Sequence, residues 1–311
     1  MADKNINSVK ILKTLLIIYL AVIVAGTAVA AIFGVSLDIN FKGGTRISYS
    51  YTGDIKTADV ESAAKEVLDG KFTVSENTSL AGDAKTVTIS LVGKKSLSAE
   101  TQENLMATLK EKFADNNIEL YDSNSVSPTV AGTFFGKSLV AVLITAALVV
   151  LYVGIRFRKI GGVSAALTAL CALLLDLLVT FFACVFFRLQ IDSNYIAVVL
   201  TILGYSLNDT IVVYDRVREN KKLYPKLTVR ENMDMSIKGV ITRNIVTSVT
   251  TVLAVLTIVA VSEIYGLVSL RTFAIPMAFG LASGCVSSLF VAGPLWVLWR
   301  EHREKKEAKA N

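Results

Sequence analysis

The chain has 311 residues, 53% of them hydrophobic, and a mean hydropathy of +0.55. A soluble chain of this length buries a core with fewer apolar residues, whereas a bilayer solvates them directly, so the composition points to an integral membrane protein. The net charge of +6 would suit a nucleic-acid binder, but the basic residues cluster beside long apolar runs, and that placement argues for a lipid bilayer and against nucleic acid.

About 20 apolar residues cross the hydrocarbon core. Six uncharged or nearly uncharged runs of that order occur, at 14–33, 138–155, 161–187, 193–214, 244–262 and 272–299. The first follows residues 1–13, which carry Lys4, Lys10 and Lys13. It is long and has no small-residue cleavage pattern after it, so it reads as a retained anchor, not a removed signal peptide.

Residues 34–133 then form a separate domain. Alternation marks strands at 45–51, 72–74, 86–92 and 118–126, and helical periodicity marks 56–68 and 98–113, the latter with Ser98 as its N-cap. The order β-α-β-β-α-β is the split ferredoxin-like pattern. Residues 134–299 carry transmembrane helices two to six. The charged stretch 216–242 inside that region reads as a loop of one or two amphipathic helices at the interface, broken at Pro225. Residues 300–311 read as a solvated tail. The expected fold is an α-helical bundle of six transmembrane helices with one extracytoplasmic α+β ferredoxin-like domain.

Four basic clusters fall on one side if the N-terminus is cytoplasmic: residues 1–13, Arg156 to Lys159, Arg216 to Arg243, and Arg300 to Lys309. This positive-inside pattern predicts cytoplasmic N- and C-termini. Cys171, Cys184 and Cys285 all lie in apolar runs, so the α+β domain has no disulfide framework, and His302, the only histidine, sits in the tail. No metal or cofactor is expected.

GTFFGKS at 132–138 resembles a phosphate loop but is one residue short and follows no strand, so it reads as the start of a helix anchored by Lys137. Gly280 and Gly284 are spaced for close helix packing. The informative residues are ionisable groups at membrane depth, where a carboxylate costs roughly 2.5–3.5 kcal/mol on insertion scales. They are Asp176 and Asp209. Tyr205, Asn208, Asp209 and Val212 share a helical face, with Ser206 in the same turn; Arg243 and Thr247 share a face of the next run.

Two readings compete for these charges. Asp209 and Arg243 form a fixed ion pair between helices, or the arginine moves and lets the carboxyl exchange a proton. An intramembrane aspartyl protease is a third class, disfavoured because Asp209 sits in LND and Asp176 in LLLDLL, with no glycine two residues before Asp209.

The stretch GYSLNDTIVVYDRVREN at 204–220 closely resembles the signature of the SecD/SecF family of protein-export membrane proteins, in its SecF branch. NFKGGT at 40–45, with Phe41, Gly43 and Gly44, resembles the family's FxGG segment, and SVSPTVAG at 125–132 its return into the second span. Gly204 and Tyr205 open the long motif. The SecD branch usually has a larger outside domain and lacks the Asn-Asp pair. The resemblance implies an RND-like, proton-motive-force-driven, non-enzymatic subunit of the bacterial cytoplasmic membrane. It would pair with SecD and often YajC, assist the SecYEG channel and handle a translocating polypeptide. It implies that Asp209 accepts protons and that Arg243 is its charge partner; Asn208, Ser206, Thr247 and Asp176 are further candidates for a proton pathway, read from their own polar groups at membrane depth. Departures from the family pattern are Asn40, Leu175 and Asn244 where members often have Asp, His and Thr. The alternatives are a structural scaffold subunit of a membrane complex and a stand-alone RND-type exporter.

Overall fold

In a computed structural model the chain is described over residues 7–68, 70, 72–78, 85–93 and 97–310. Residues 1–6, with Lys4, and Asn311 lie outside the described residues. Helix α1 (Ser8–Phe33) starts where the Asn7 side chain accepts from the Lys10 N–H (3.0 Å) and ends at Gly34. The one-turn helix α2 (Ile39–Lys42) follows, capped by Asp38. Gly43 and Gly44 then hold φ values of 77° and 136°, which L side chains rarely adopt. A Cβ on Gly43 would stand 2.8 Å from the Pro128 backbone, and one on Gly44 would collide with the Leu91 carbonyl. The double glycine therefore lets the chain pass from the membrane helix into the sheet beside the strand that returns.

Strand β1 (Gly44–Tyr51), helix α3 (Thr57–Ala64), strands β2 (Thr73–Thr78) and β3 (Lys85–Val92), helix α4 (Ala99–Lys112) and strand β4 (Glu119–Val126) complete the α+β domain. The sheet order is β2-β3-β1-β4, antiparallel throughout, which is the ferredoxin-like arrangement. Strand alternation puts Ile47, Tyr49, Tyr51, Val87, Ile89 and Leu91 under the helices, against Val60, Ala63, Leu105 and Leu109. On the opposite face Ser48 and Thr88 join by their hydroxyls at 2.9 Å, while Thr45 and Ser125, at 3.0 Å, lie on the helix side near the start of α4. Ser98 caps α4 by accepting from the Thr101 N–H at 3.2 Å.

Helix α5 (Pro128–Arg156) begins ten residues before the predicted run at 138, so residues 132–138 are regular helix and form no phosphate loop. Ser127 caps it and Pro128 sits in its first turn, which is enough to start a helix that Gly132 and Gly136 do not stop. Its Phe134 and Phe135 pack on Phe41, with ring centroids 5.5 and 6.0 Å apart.

Helices α6 (Gly162–Phe186), α7 (Ser193–Leu223) and α8 (Val229–Ile264) follow. The stretch 216–242, expected as an interfacial amphipathic loop, is instead the continuation of α7 and α8 as one hairpin, turning at residues 224–228. Polar bonds replace the bilayer surface as its support. Asn220 Nδ2 donates to Ser236 Oγ (2.9 Å), and Asn232 Nδ2 donates to the Val217 carbonyl (3.2 Å). A Thr228–Glu231 capping box starts α8.

Helix α9 (Val268–Ser287) passes through a π turn (Ser288–Ala292) into α10 (Gly293–Ala310). The Ala292 carbonyl in that turn accepts from the Tyr214 hydroxyl at 3.2 Å. The tail expected at 300–311 is helical to Ala310 and bound to the hairpin by the Arg230–Glu301 ion pair (2.9 Å).

Six helical segments among the described residues are long and apolar enough to cross a membrane. Those centred on α6, α7 and α9 bury much of their apolar length, while α1, α5 and α8 leave most of it facing outward. The domain is fastened to the bundle at one point beyond the helices. Leu37 bridges Ile191 in parallel, the Asp38 N–H donates to the Ile191 carbonyl (2.9 Å), and the Asp38 carboxylate is buried against Arg46 of β1.

Candidate proton site in the helical bundle

The two membrane acids lie on adjacent helices but in different surroundings. Asp209 is 3% exposed on α7 and accepts one side-chain hydrogen bond, from Ser248 Oγ of α8 at 3.1 Å. Asn244 lies one turn before Ser248 on the same buried stripe of α8, and its Nδ2 has no hydrogen-bond partner among the described residues. Arg243 is exposed and makes no ion pair with Asp209, so the fixed-pair reading does not describe this structure. It lines a cavity of about 640 Å³ between α7 and α8, together with Asp215, Arg216, Arg218, Glu219 and Lys222.

The other predicted residues separate into groups. Asn208 and Gly204 are exposed, and a Cβ on Gly204 would meet nothing. Thr247 is exposed too, its hydroxyl donating to the Arg243 carbonyl (2.9 Å). Tyr205 joins α7 to α8 by donating to Thr251 Oγ1 at 2.8 Å. Ser206, expected beside Asp209, turns to Asp176 instead. The face of α7 and α8 carrying Asn208, Arg243 and Thr247 is therefore open, with Val246, Val249 and Leu253 exposed along the same helix.

Asp176 is 0% exposed on α6. Ser206 and Ser287 donate to its Oδ2 at 2.7 and 2.8 Å, and Ser283 donates to Oδ1 at 2.6 Å. The Gly280–Gly284 stripe makes this approach possible. A Cβ on Gly284 would sit 3.1 Å from Ser206 Cβ, and one on Gly280 would stand 2.5 Å from Thr180 Oγ1. Sequence reading placed Ser248 only among the polar residues opening the fifth run, and missed Ser283, Ser287 and Tyr19. The signal for the α9 pair was the i, i+4 spacing of Ser283 and Ser287 on the face of the two glycines; Tyr19, alone in an apolar helix, gave none.

Residues 104–302 match the family model for protein export membrane protein SecD/SecF, C-terminal. The chain is 32% identical over 294 residues to a protein translocase subunit SecF of Alicyclobacillus acidocaldarius, covering 94% of this chain and 92% of that one. It is 34% identical over 295 residues to the protein translocase subunit SecDF of Bacillus subtilis, covering 93% of this chain but 37% of that longer one. Among solved structures it resembles SecDF, a translocon-associated membrane protein from Thermus thermophilus, with a TM-score of 0.79 at 25% identity, over 96% of this chain and 39% of that one. The chain thus spans about two fifths of that SecDF. With the ferredoxin-like domain between the first two spans and the acid-bearing motif in the fourth, these matches agree on one assignment: the chain belongs to the SecD/SecF family of protein-export membrane proteins, on its SecF side.

Proposed function

We propose that the chain is the SecF subunit of a proton-driven export complex in a bacterial cytoplasmic membrane, with Asp209 as its proton acceptor. The carrying observation is that Asp209 is nearly enclosed, holds a single hydroxyl donor, and has Arg243 nearby but unpaired. A buried carboxylate locked to arginine would have no reason to give up its charge. One held by a single serine, at a cost of roughly 2.5–3.5 kcal/mol for its charge, takes a proton readily. Each proton crossing 100 mV releases roughly 2.3 kcal/mol, enough to drive a helix rearrangement when Arg243 swings toward or away from the acid. The cavity that Arg243 lines runs along the polar part of the α7–α8 hairpin, where an arginine has room to move.

The open face of α7 and α8 suits a second six-span protein, SecD, with YajC as a further companion. The α+β domain, fastened to the start of α7 through Leu37 and Ile191, is the end that meets the polypeptide leaving SecYEG. The basic hairpin, with residues 1–13 and 300–311, lies on the cytoplasmic side, which puts both termini inside. Asn208, Ser206 and Thr247 are polar steps around the acid, not ligands of it.

The test is Asp209→Asn in the full chain, assembled with SecD and assayed for export with and without a proton gradient. The variant is expected to keep its abundance and its partner and to lose all gradient-dependent export. Full export would overturn the proposal. Loss of the protein itself would support the scaffold reading.

A further inference from the structure

Asp176 lies outside the site assigned above, and its surroundings pose a physical question. No Lys, Arg or His among the described residues contacts it. From the elements packed around it, the titratable group that reaches its cage is Tyr19 on α1; Asp209 lies one turn beyond Ser206 on α7 and bonds Ser248, and Cys285 on α9 faces Ser248 too. A carboxylate taken into a dry interior without a counter-ion is costly even when hydrogen-bonded. A proton removes that cost.

The cage also fixes what a proton changes. Each serine has one hydroxyl hydrogen, and all three are given to Asp176 when it is ionised. Tyr19 Oη lies 3.0 Å from Ser283 Oγ. Ser283 has already given its hydrogen away, so Tyr19 donates, and the chain runs from Tyr19 to Ser283 to Asp176. A proton placed on Oδ1 makes the carboxyl the donor to Ser283. Ser283 then donates to Tyr19, and the whole chain reverses. A proton on Oδ2 displaces the Ser287 hydrogen instead, for which the Gly284 carbonyl stands at 3.4 Å. Neither route needs any other reactant.

We propose that Asp176 is a second proton-binding residue, and that its charge state is transmitted to α1 through Ser283 and Tyr19. Helix α1 leads into the α+β domain within a few residues of Phe33, so a change in its grip on α9 reaches the domain without passing through Asp209. The use of this switch rests on the proton-driven reading; its existence does not.

The experiment is infrared difference spectroscopy of the full chain with its partner subunit in liposomes, titrated with acid. A protonated-carboxyl stretch is expected that disappears in Asp176→Asn and persists in Asp209→Asn. Ser283→Ala, which removes a group that Asp176 bonds, and Tyr19→Phe, which removes the group that Ser283 bonds, are each expected to shift its frequency. A spectrum unchanged by Asp176→Asn at every pH, or a band that Tyr19→Phe leaves unmoved, overturns the proposal. If Asp176→Asn does not assemble, the shifts in Tyr19→Phe and Ser283→Ala decide it alone. Asp209→Asn with normal export but an intact Asp176 band would remove the proton-acceptor reading and leave this one standing.

Discussion

Asp176 and Asp209 are the same residue type, one helix apart in one bundle, and both are almost fully enclosed. The first is met by three hydroxyls from two helices, the second by one. Asp176 lies where α6, α7 and α9 close on one another over two glycines; Asp209 lies between α7 and α8, one turn before Val212, the first α7 residue to line the charged cavity between them. The difference teaches that depth alone does not assign a role to a membrane carboxylate. What decides is how many fixed donors surround it and whether a mobile charge is within reach.

Three bonds against one is a comparison that mutation can break. Removing all three serines of the cage, as Ser206→Ala, Ser283→Ala and Ser287→Ala together, is expected to cost about 2 kcal/mol at the ~0.6 kcal/mol average for a bond between membrane helices. Thermal unfolding of the full chain in detergent measures it, and a cost no larger than that of Ser248→Ala would erase the distinction between the two acids. Gly284→Ala is expected to follow at about 1 kcal/mol, because its Cβ would press on Ser206 at 3.1–3.2 Å and loosen the cage from one side. Ser248→Ala, which strips Asp209 of its one donor, should cost about 0.6 kcal/mol in the same assay. Its larger effect is expected on gradient-dependent export.

The smallest effect concerns the hairpin that closes the cavity. Glu231 is held below the usual glutamate value of 4.5 by the Thr228 backbone N–H and by the Thr228 hydroxyl. A depressed pKa means that the folded state favours the ionised form. The contribution is therefore present above the ordinary value and lost as pH falls through the lowered one. Hydrogen exchange in the first turn of α8 is expected to quicken on acidification in the parent and to be already fast, and less pH-sensitive, in Glu231→Gln. Equal acid sensitivity in both would show that the capping box does not hold the hairpin.

Much of this architecture was legible in the residues. The six apolar runs and the β-α-β-β-α-β order depend on local periodicity, which a chain carries without its partners in space. The element bounds drifted where polar residues had two possible supports. Residues 216–242 have the amphipathic pattern of a membrane-surface helix, and the same pattern serves a hairpin whose Asn220, Asn232 and Ser236 bond each other. Residues 132–138 read as the start of a helix, and that helix begins still earlier, at Pro128, because Ser127 caps it.

The sequence by itself determined that this chain crosses a membrane six times, carries a small α+β domain after the first crossing, and places two acids at a depth where acids are expensive. Those are properties of composition and spacing along one dimension. Only the tertiary structure decided that Ser206 serves Asp176 and not Asp209, that Arg243 stands apart from Asp209 in place of the fixed pair that was one of two readings, and that Tyr19 on α1 closes a hydroxyl chain that ends on Asp176 of α6. Hydroxyl hydrogen bonds are short and directional, and these partners lie 30 to 264 residues apart on different helices, so no local pattern announces them.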